Sequence, residues 1–371
     1  MKKLGFGLMR LPLLDPSDTR SIDIETVKKM VDLFLARGFT YFDTAACYHQ
    51  GSSEIAFREA VVKRYPCSAY TITDKLTMFM LQNEADMPGF FKAQLERLGL
   101  DYMDYYWLHA MSQSSYRQAE EMHAFAFVQK LKEQGKVKHI GFSFHDDAEL
   151  LDEILSKHPE MEYVQLQLNY LDWEDAGVQS RLCYEVASKH GKPVIVMEPV
   201  KGGSLVNIPK EAEQLFHTCR PAYSIASWAI RFAASLDNVM TVLSGMSDEA
   251  QVEDNTGYMT EFQPLDDQEQ AVIAQVTEII KNSITIPCTG CRYCVDGCPK
   301  NIAIPDYFSI YNDLTGLGVA HKADAHSAYA HLAQTHGKAS DCIKCGRCEQ
   351  RCPQHLPIRK HLEGVAQALE H

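Results

Sequence analysis

Three observations predict an α/β protein built as a (β/α)8 barrel, a TIM barrel, followed by a small helical domain. Eight short apolar runs alternate with amphipathic segments up to about residue 260. No G-x-G-x-x-G opens a helix after any of these runs, which disfavours an open dinucleotide-binding sheet. Two cysteine runs, CTGCRYCVDGCPK (288–300) and CIKCGRCEQRCPQ (342–354), then fall in the C-terminal stretch.

The runs read as strands in order: GFGLM (5–9), TYFD (40–43), YTITDK (70–75), DYYWLH (104–109), HIGFS (139–143), YVQLQL (163–168), PVIVME (193–198) and VMTVLS (239–244). Strands alternating with helices imply a parallel sheet, and eight is the number that closes a barrel. In DIETVKKMVDLFLARG, Ile24, Val27, Val31 and Phe34 share one helical face and Gly38 ends it; SRLCYEVASKHG ends the same way at Gly191. The expected boundaries are 1–262 for the barrel, 263–285 for a helical linker packed on it, and 286–371 for the cysteine-bearing domain. The intervening IPDYFSIYNDL and ADAHSAYAHLAQTHG read as helices.

A formal net charge of -13 argues against a phosphate-tracking nucleic-acid binder. MKKLGFGLMRLP lacks the apolar core of a signal peptide, and no window reaches the roughly 20 apolar residues of a membrane span. Of 12 cysteines, all but Cys47, Cys67, Cys183 and Cys219 lie in the two runs, which suits metal-binding thiolates better than disulfides. A cytoplasmic protein is expected.

In such a barrel the chemistry belongs at the C-terminal strand ends. Asp43, Tyr48, Lys75 and His109 stand there. Singly, each has an ordinary structural use as a cap, an interface aromatic, a surface charge or a core histidine. Together they suit a carbonyl that accepts hydride and needs a proton. Tyr48 would give it, Lys75 would ease its release, Asp43 would orient Lys75, and His109 would align the carbonyl oxygen. Cys47, beside Tyr48, reads as packing; the direction of His49 and Gln50 is not fixed by sequence.

GFGLMRLP, YFDTAACYHQGSSE, Lys75 in TDKL, His109 in YYWLH and GFSFH together resemble the aldo-keto reductase superfamily over essentially all of residues 1–260. The resemblance implies that Asp43, Tyr48, Lys75 and His109 are a catalytic tetrad with Tyr48 as proton donor. It also implies NAD(P)H lying extended across the barrel mouth without a Rossmann fold. Ser143 and Gln167 would then meet the nicotinamide amide, although Phe144 stands where the family often has asparagine. Met197 replaces the usual stacking tyrosine and leaves room for a flavin ring. Gly245 and Gln251 stand where NADPH-preferring members carry Lys and Arg, so NADH is admitted; Asp254 and Asn255 suit the adenine side.

Each cysteine run has the form C-x2-C-x2-C-x3-C-P, which wraps an iron–sulfur cubane better than a zinc ribbon. Spacing alone allows each run to hold its own cluster. The tail resembles a bacterial-type two-cluster ferredoxin with a helical insert, and barrels of the family joined to such a tail are a recognisable group. That resemblance implies two [4Fe-4S] clusters with exchanged fourth ligands: Cys288, Cys291, Cys294 and Cys352 on one, Cys342, Cys345, Cys348 and Cys298 on the other. The expected protein is an oxidoreductase acting on a small carbonyl or alcohol with NAD(P)H, its clusters passing electrons, with an electron-transfer protein as a further partner. The alternatives are a self-sufficient reductase with structural or sensory clusters, and a non-enzymatic redox-sensing or electron-transfer subunit.

Overall fold

A strand alternates its side chains between two faces, so a closed parallel sheet has an inward set and an outward set. The computed structural model describes residues 2–283, 285–316 and 322–370 and closes such a sheet. Its strands are β1 (Leu4–Gly7), β2 (Tyr41–Asp43), β3 (Thr71–Leu76), β4 (Met103–Met111), β5 (Val137–Phe144), β6 (Tyr163–Gln167), β7 (Val194–Met197) and β8 (Val239–Ser244). Each pairs in parallel with the next, and β8 returns to β1.

The chain divides into two compact units. Met1–Asp175, Gln179–Val200 and Ala222–Asp267 form the first; Ala176–Val178, Lys201–Pro221 and Gln268–His371 form the second. This differs from the boundaries that composition suggests. The helix Asp267–Ser283 belongs with the second unit, as does the segment after β7. One physical reason is visible: Glu269, only 1% exposed, receives Arg220 Nε at 3.0 Å. A buried carboxylate without a cation is strongly destabilising, so this partner joins the segment to the helix.

In the first unit the outward face of the barrel meets the helices. Phe34, from the helix Ile24–Ala36, packs its ring 5.5 Å from Phe6 of β1 and 5.3 Å from Phe42 of β2. The inward face forms a separate hydrophobic layer of Tyr41, Tyr105, Trp107, Ile195 and Leu243. Gly141 of β5 is required beside that layer, because a Cβ there would collide with the Trp107 ring.

The second unit has its own core, including Ile286, Ile302, Tyr307, Phe308, Leu362 and Val365. It gathers the helices Ile304–Gly316, Lys322–Leu332 and Ile358–Leu369. A parallel bridge joins Ile302 to Gly337, just after the first cysteine run and just before the second. A Cβ on Gly337 would run into the Lys300 carbonyl, so only glycine permits this approach. Among the described residues no helix is long and apolar enough to cross a membrane.

Candidate active site and cysteine-lined cavities

The barrel site follows from strand parity. Asp43 lies two residues beyond Tyr41, Lys75 two beyond Thr73, and His109 two beyond Trp107, so each continues the inward set toward the C-terminal rim. Asp43 and Lys75 are 2% and 1% exposed. Lys75 Nζ donates to Asp43 Oδ1 at 2.6 Å and to the Thr44 carbonyl at 2.7 Å. Nζ also lies 3.5 Å from the Tyr48 hydroxyl. Burial raises the Asp43 carboxyl, while Lys75 and the Gln165 amide pull it back down.

His109 is buried, and its ring stands edge-on to Tyr48 with centroids 6.0 Å apart. Burial, with Lys75 and then His145 nearby, holds the imidazole well below its usual range, so it is neutral. Its Nδ1 lies 3.1 Å from the buried hydroxyl of Thr77 and 3.9 Å from the Cys47 sulfur. Burial pushes the Cys47 thiol up to about 12, which leaves it protonated and supports its reading as packing. Thr77 was not singled out in the sequence; its lying two residues past Lys75 was the available signal.

The expected cofactor contacts are spread over the same rim. Ser143 Oγ accepts the Ala110 N–H at 2.7 Å, bracing the irregular end of β4 and leaving its own proton to donate. Gln167 Nε2 donates to Asp172 Oδ2 at 2.9 Å, and Met197 pairs beside it at the end of β7. Gln251 is turned inward on its own loop: its Oε1 accepts the Ser247 N–H at 2.9 Å and its Nε2 donates to Asp248 Oδ2 at 3.0 Å. Asp254 accepts the Ser224 hydroxyl, while Asn255 is tied to Ser244 and Tyr258. His49 and Gln50 turn to the 11–19 loop, bonding Leu11 and Thr19.

Arg10 is the residue sequence reading passed over. Its side-chain stem comes 3.3 Å from where a Cβ on Gly245 would lie. Its Nη2 is buried with no hydrogen-bond partner among the described residues. A cation on β1's loop thus covers Gly245.

The second unit brings the cysteines into two groups. Cys288, Cys291 and Cys294 line one cavity with Cys352; Cys342, Cys345 and Cys348 line another with Cys298. In each cavity the fourth lining cysteine comes from the other run. Among the described residues no three His, Cys, Asp or Glu side chains converge on a single-ion position. The sulfurs line a space instead. Burial raises the Cys288, Cys294 and Cys352 thiols and takes Cys348 to about 11. A metal must displace those protons to bind.

Comparison with known proteins gives a match to the Aldo/keto reductase family over residues 3–278. The chain belongs to the aldo/keto reductase family. Beyond this aldo/keto reductase region, residues 287–356 match a 4Fe-4S dicluster domain. An aldo-keto reductase of Mycolicibacterium vanbaalenii is 32% identical over 179 residues, which is 47% of this chain and 58% of that one. The chain spans about half the length of the first curated relatives it matches, 58% and 45% for two mycobacterial reductases. The holo aldo-keto reductase of Bacillus halodurans superposes with a TM-score of 0.60 at 24% identity, over 74% of this chain and 91% of that one. A Klebsiella pneumoniae aldo/keto reductase in complex with NADP and acetate gives 0.59 at 17%, over 74% and 91%. The likeness to these structures shows the barrel fold.

Proposed function

We propose that the barrel interconverts a small carbonyl compound and its alcohol with NAD(P)H, and that the second unit holds two [4Fe-4S] clusters that carry single electrons. The observation that carries the first part is the buried Asp43–Lys75 pair, whose ammonium lies 3.5 Å from the Tyr48 hydroxyl. An ammonium there stabilises the phenolate left when Tyr48 gives its proton to the developing alkoxide. Bound NAD(P)H supplies the hydride. With His109 Nδ1 accepting from the Thr77 hydroxyl 3.1 Å away, the ring proton would stand on Nε2, free to bond the carbonyl oxygen.

Ser143 and Gln167 would meet the nicotinamide amide. The buried, unpartnered Nη2 of Arg10 supports it as the cation for a cofactor phosphate, in place of side chains at 245 and 251. The Klebsiella neighbour, solved with NADP, supports a nicotinamide cofactor. A flavin, which converts a hydride into two single electrons, is not part of this proposal.

The four-cysteine cavities support the cluster half, and the 4Fe-4S dicluster match agrees with it. A buried hydroxyl, Thr289 Oγ1, lines the first cavity with no partner among the described residues, as a site for a sulfide acceptor should. An external one-electron carrier protein would be the natural partner of such clusters.

The test is Tyr48→Phe, assayed with a panel of aldehydes and ketones against NADPH and NADH. Carbonyl reduction should fall on the order of 10²–10⁴-fold with cofactor binding retained. A full rate in the variant overturns the tetrad mechanism.

A further inference from the structure

The two cavities differ in what surrounds their sulfurs. Lys201, 2% exposed, donates from Nζ to Gln354 Oε1 at 3.2 Å. Gln354 lines the cavity of Cys288, Cys291, Cys294 and Cys352, and Lys201 lies within electrostatic reach of the Cys288 sulfur. Lys201 holds this place with φ of 49°, a left-handed conformation that a non-glycine residue rarely adopts.

Hydrogen-bond donors gather at the same cavity. Thr289 is 3% exposed and its hydroxyl has no partner among the described residues. Leaving a buried hydroxyl unbonded costs roughly 1–3 kcal/mol, a cost that a thiolate or inorganic sulfide acceptor removes. The Gly290 N–H donates to the Cys288 sulfur at 3.5 Å, and backbone N–H groups of Leu356, Gln354 and His355 act on the Cys352 thiol, favouring its thiolate.

The other cavity has cations too, Lys300 and Arg347, but both are exposed. Water and salt screen an exposed charge, whereas a buried one acts through a medium of low dielectric. Arg292, on the first cavity, is half exposed, so water screens its field more than that of the buried Lys201.

We infer that Lys201 and Thr289 stabilise the reduced form of the cluster held by Cys288, Cys291, Cys294 and Cys352, and set its potential apart from that of its neighbour. The inference rests on the proposal that these cysteines hold clusters. In the step concerned, one electron enters the cluster from an external reductant; no bond breaks and no proton moves. The cluster becomes more negative by one charge, which a neighbouring ammonium and hydroxyl donor favour.

The experiment is an anaerobic dithionite titration of the full-length, reconstituted protein, following each cluster by EPR against a potential scale. Lys201→Met should make the reduction of one cluster at least tenfold less favourable, about 59 mV lower for one electron, with the other unmoved. Lys201→Arg should restore most of the shift. Thr289→Val should lower the same cluster by less, and Lys300→Met should move neither by more than twofold. Unchanged potentials in Lys201→Met with iron and sulfide intact, or equal shifts of both clusters, overturn the inference. Where Lys201→Met loses iron, Thr289→Val decides, and unshifted potentials there overturn it equally. Absence of iron and sulfide from the wild-type protein would instead remove the cluster proposal itself.

Discussion

A neutral histidine is the residue-level key to the barrel site. His109 lies well below its usual range, from burial first and Lys75 second, so it remains uncharged as pH falls through about 6.5, the ordinary value. Carbonyl reduction should therefore show no acid limb near pH 6.5; kcat/KM measured from pH 8 to 5.5 checks this, and a limb at the ordinary value would contradict a neutral His109. Thr77→Val removes the hydroxyl 3.1 Å from Nδ1. We expect kcat to fall on the order of tenfold, about 1.4 kcal/mol of transition-state stabilisation, with KM for the cofactor little changed. A merely structural loss would instead appear in thermal unfolding with kcat preserved. Strand-end position made Asp43, Lys75 and His109 legible. Thr77 shares that strand parity, two residues past Lys75, but its role, like that of Arg10, comes from a contact across the barrel mouth, to His109 and Gly245 respectively, that no local pattern encodes.

At the scale of elements, the eight strands were readable because each is a short apolar run buried on both faces and bounded by loops. Their ends shift by a few residues: the fourth run extends from 104–109 to Met103–Met111, where β5 pairing carries it past His109. The move of Lys201–Pro221 and of the helix Asp267–Ser283 into the second unit was not readable. It depends on pairs such as Arg220 with Glu269, 49 residues apart, and separation of that kind leaves no periodic trace. The bridge of Ile302 to Gly337 is the analogous long-range join between the cysteine segments. Gly337 N donates to the Asn301 carbonyl at 3.1 Å, and the Tyr307 hydroxyl bonds the Gly337 carbonyl at 3.0 Å. Gly337→Ala should thus destabilise the second unit by roughly 1–3 kcal/mol, the range for forced overpacking. Iron retention in rising urea measures it, and retention equal to wild type would show that the approach is not constrained.

For the whole molecule, the crossed cysteine walls make a prediction that independent runs do not. Cys298 shares a cavity with Cys345, whereas Cys291 lies in the other. Cys298→Ala with Cys345→Ala should leave about half of the wild-type iron, because one ligand set stays whole. Cys298→Ala with Cys291→Ala should leave little, because both sets are broken. The reverse pattern would mean that each run binds its own cluster. The same crossing has a mechanical meaning. Two clusters held as proposed would each tie the segment around Cys294 to the segment around Cys352, so iron would close the intervening loop twice, as a covalent staple would. For a disulfide around a loop of this length the chain-entropy term is about 4 kcal/mol. A cell short of iron would therefore make a chain whose C-terminal unit is loosened and open to proteases, with the abundance of the protein following its metal supply.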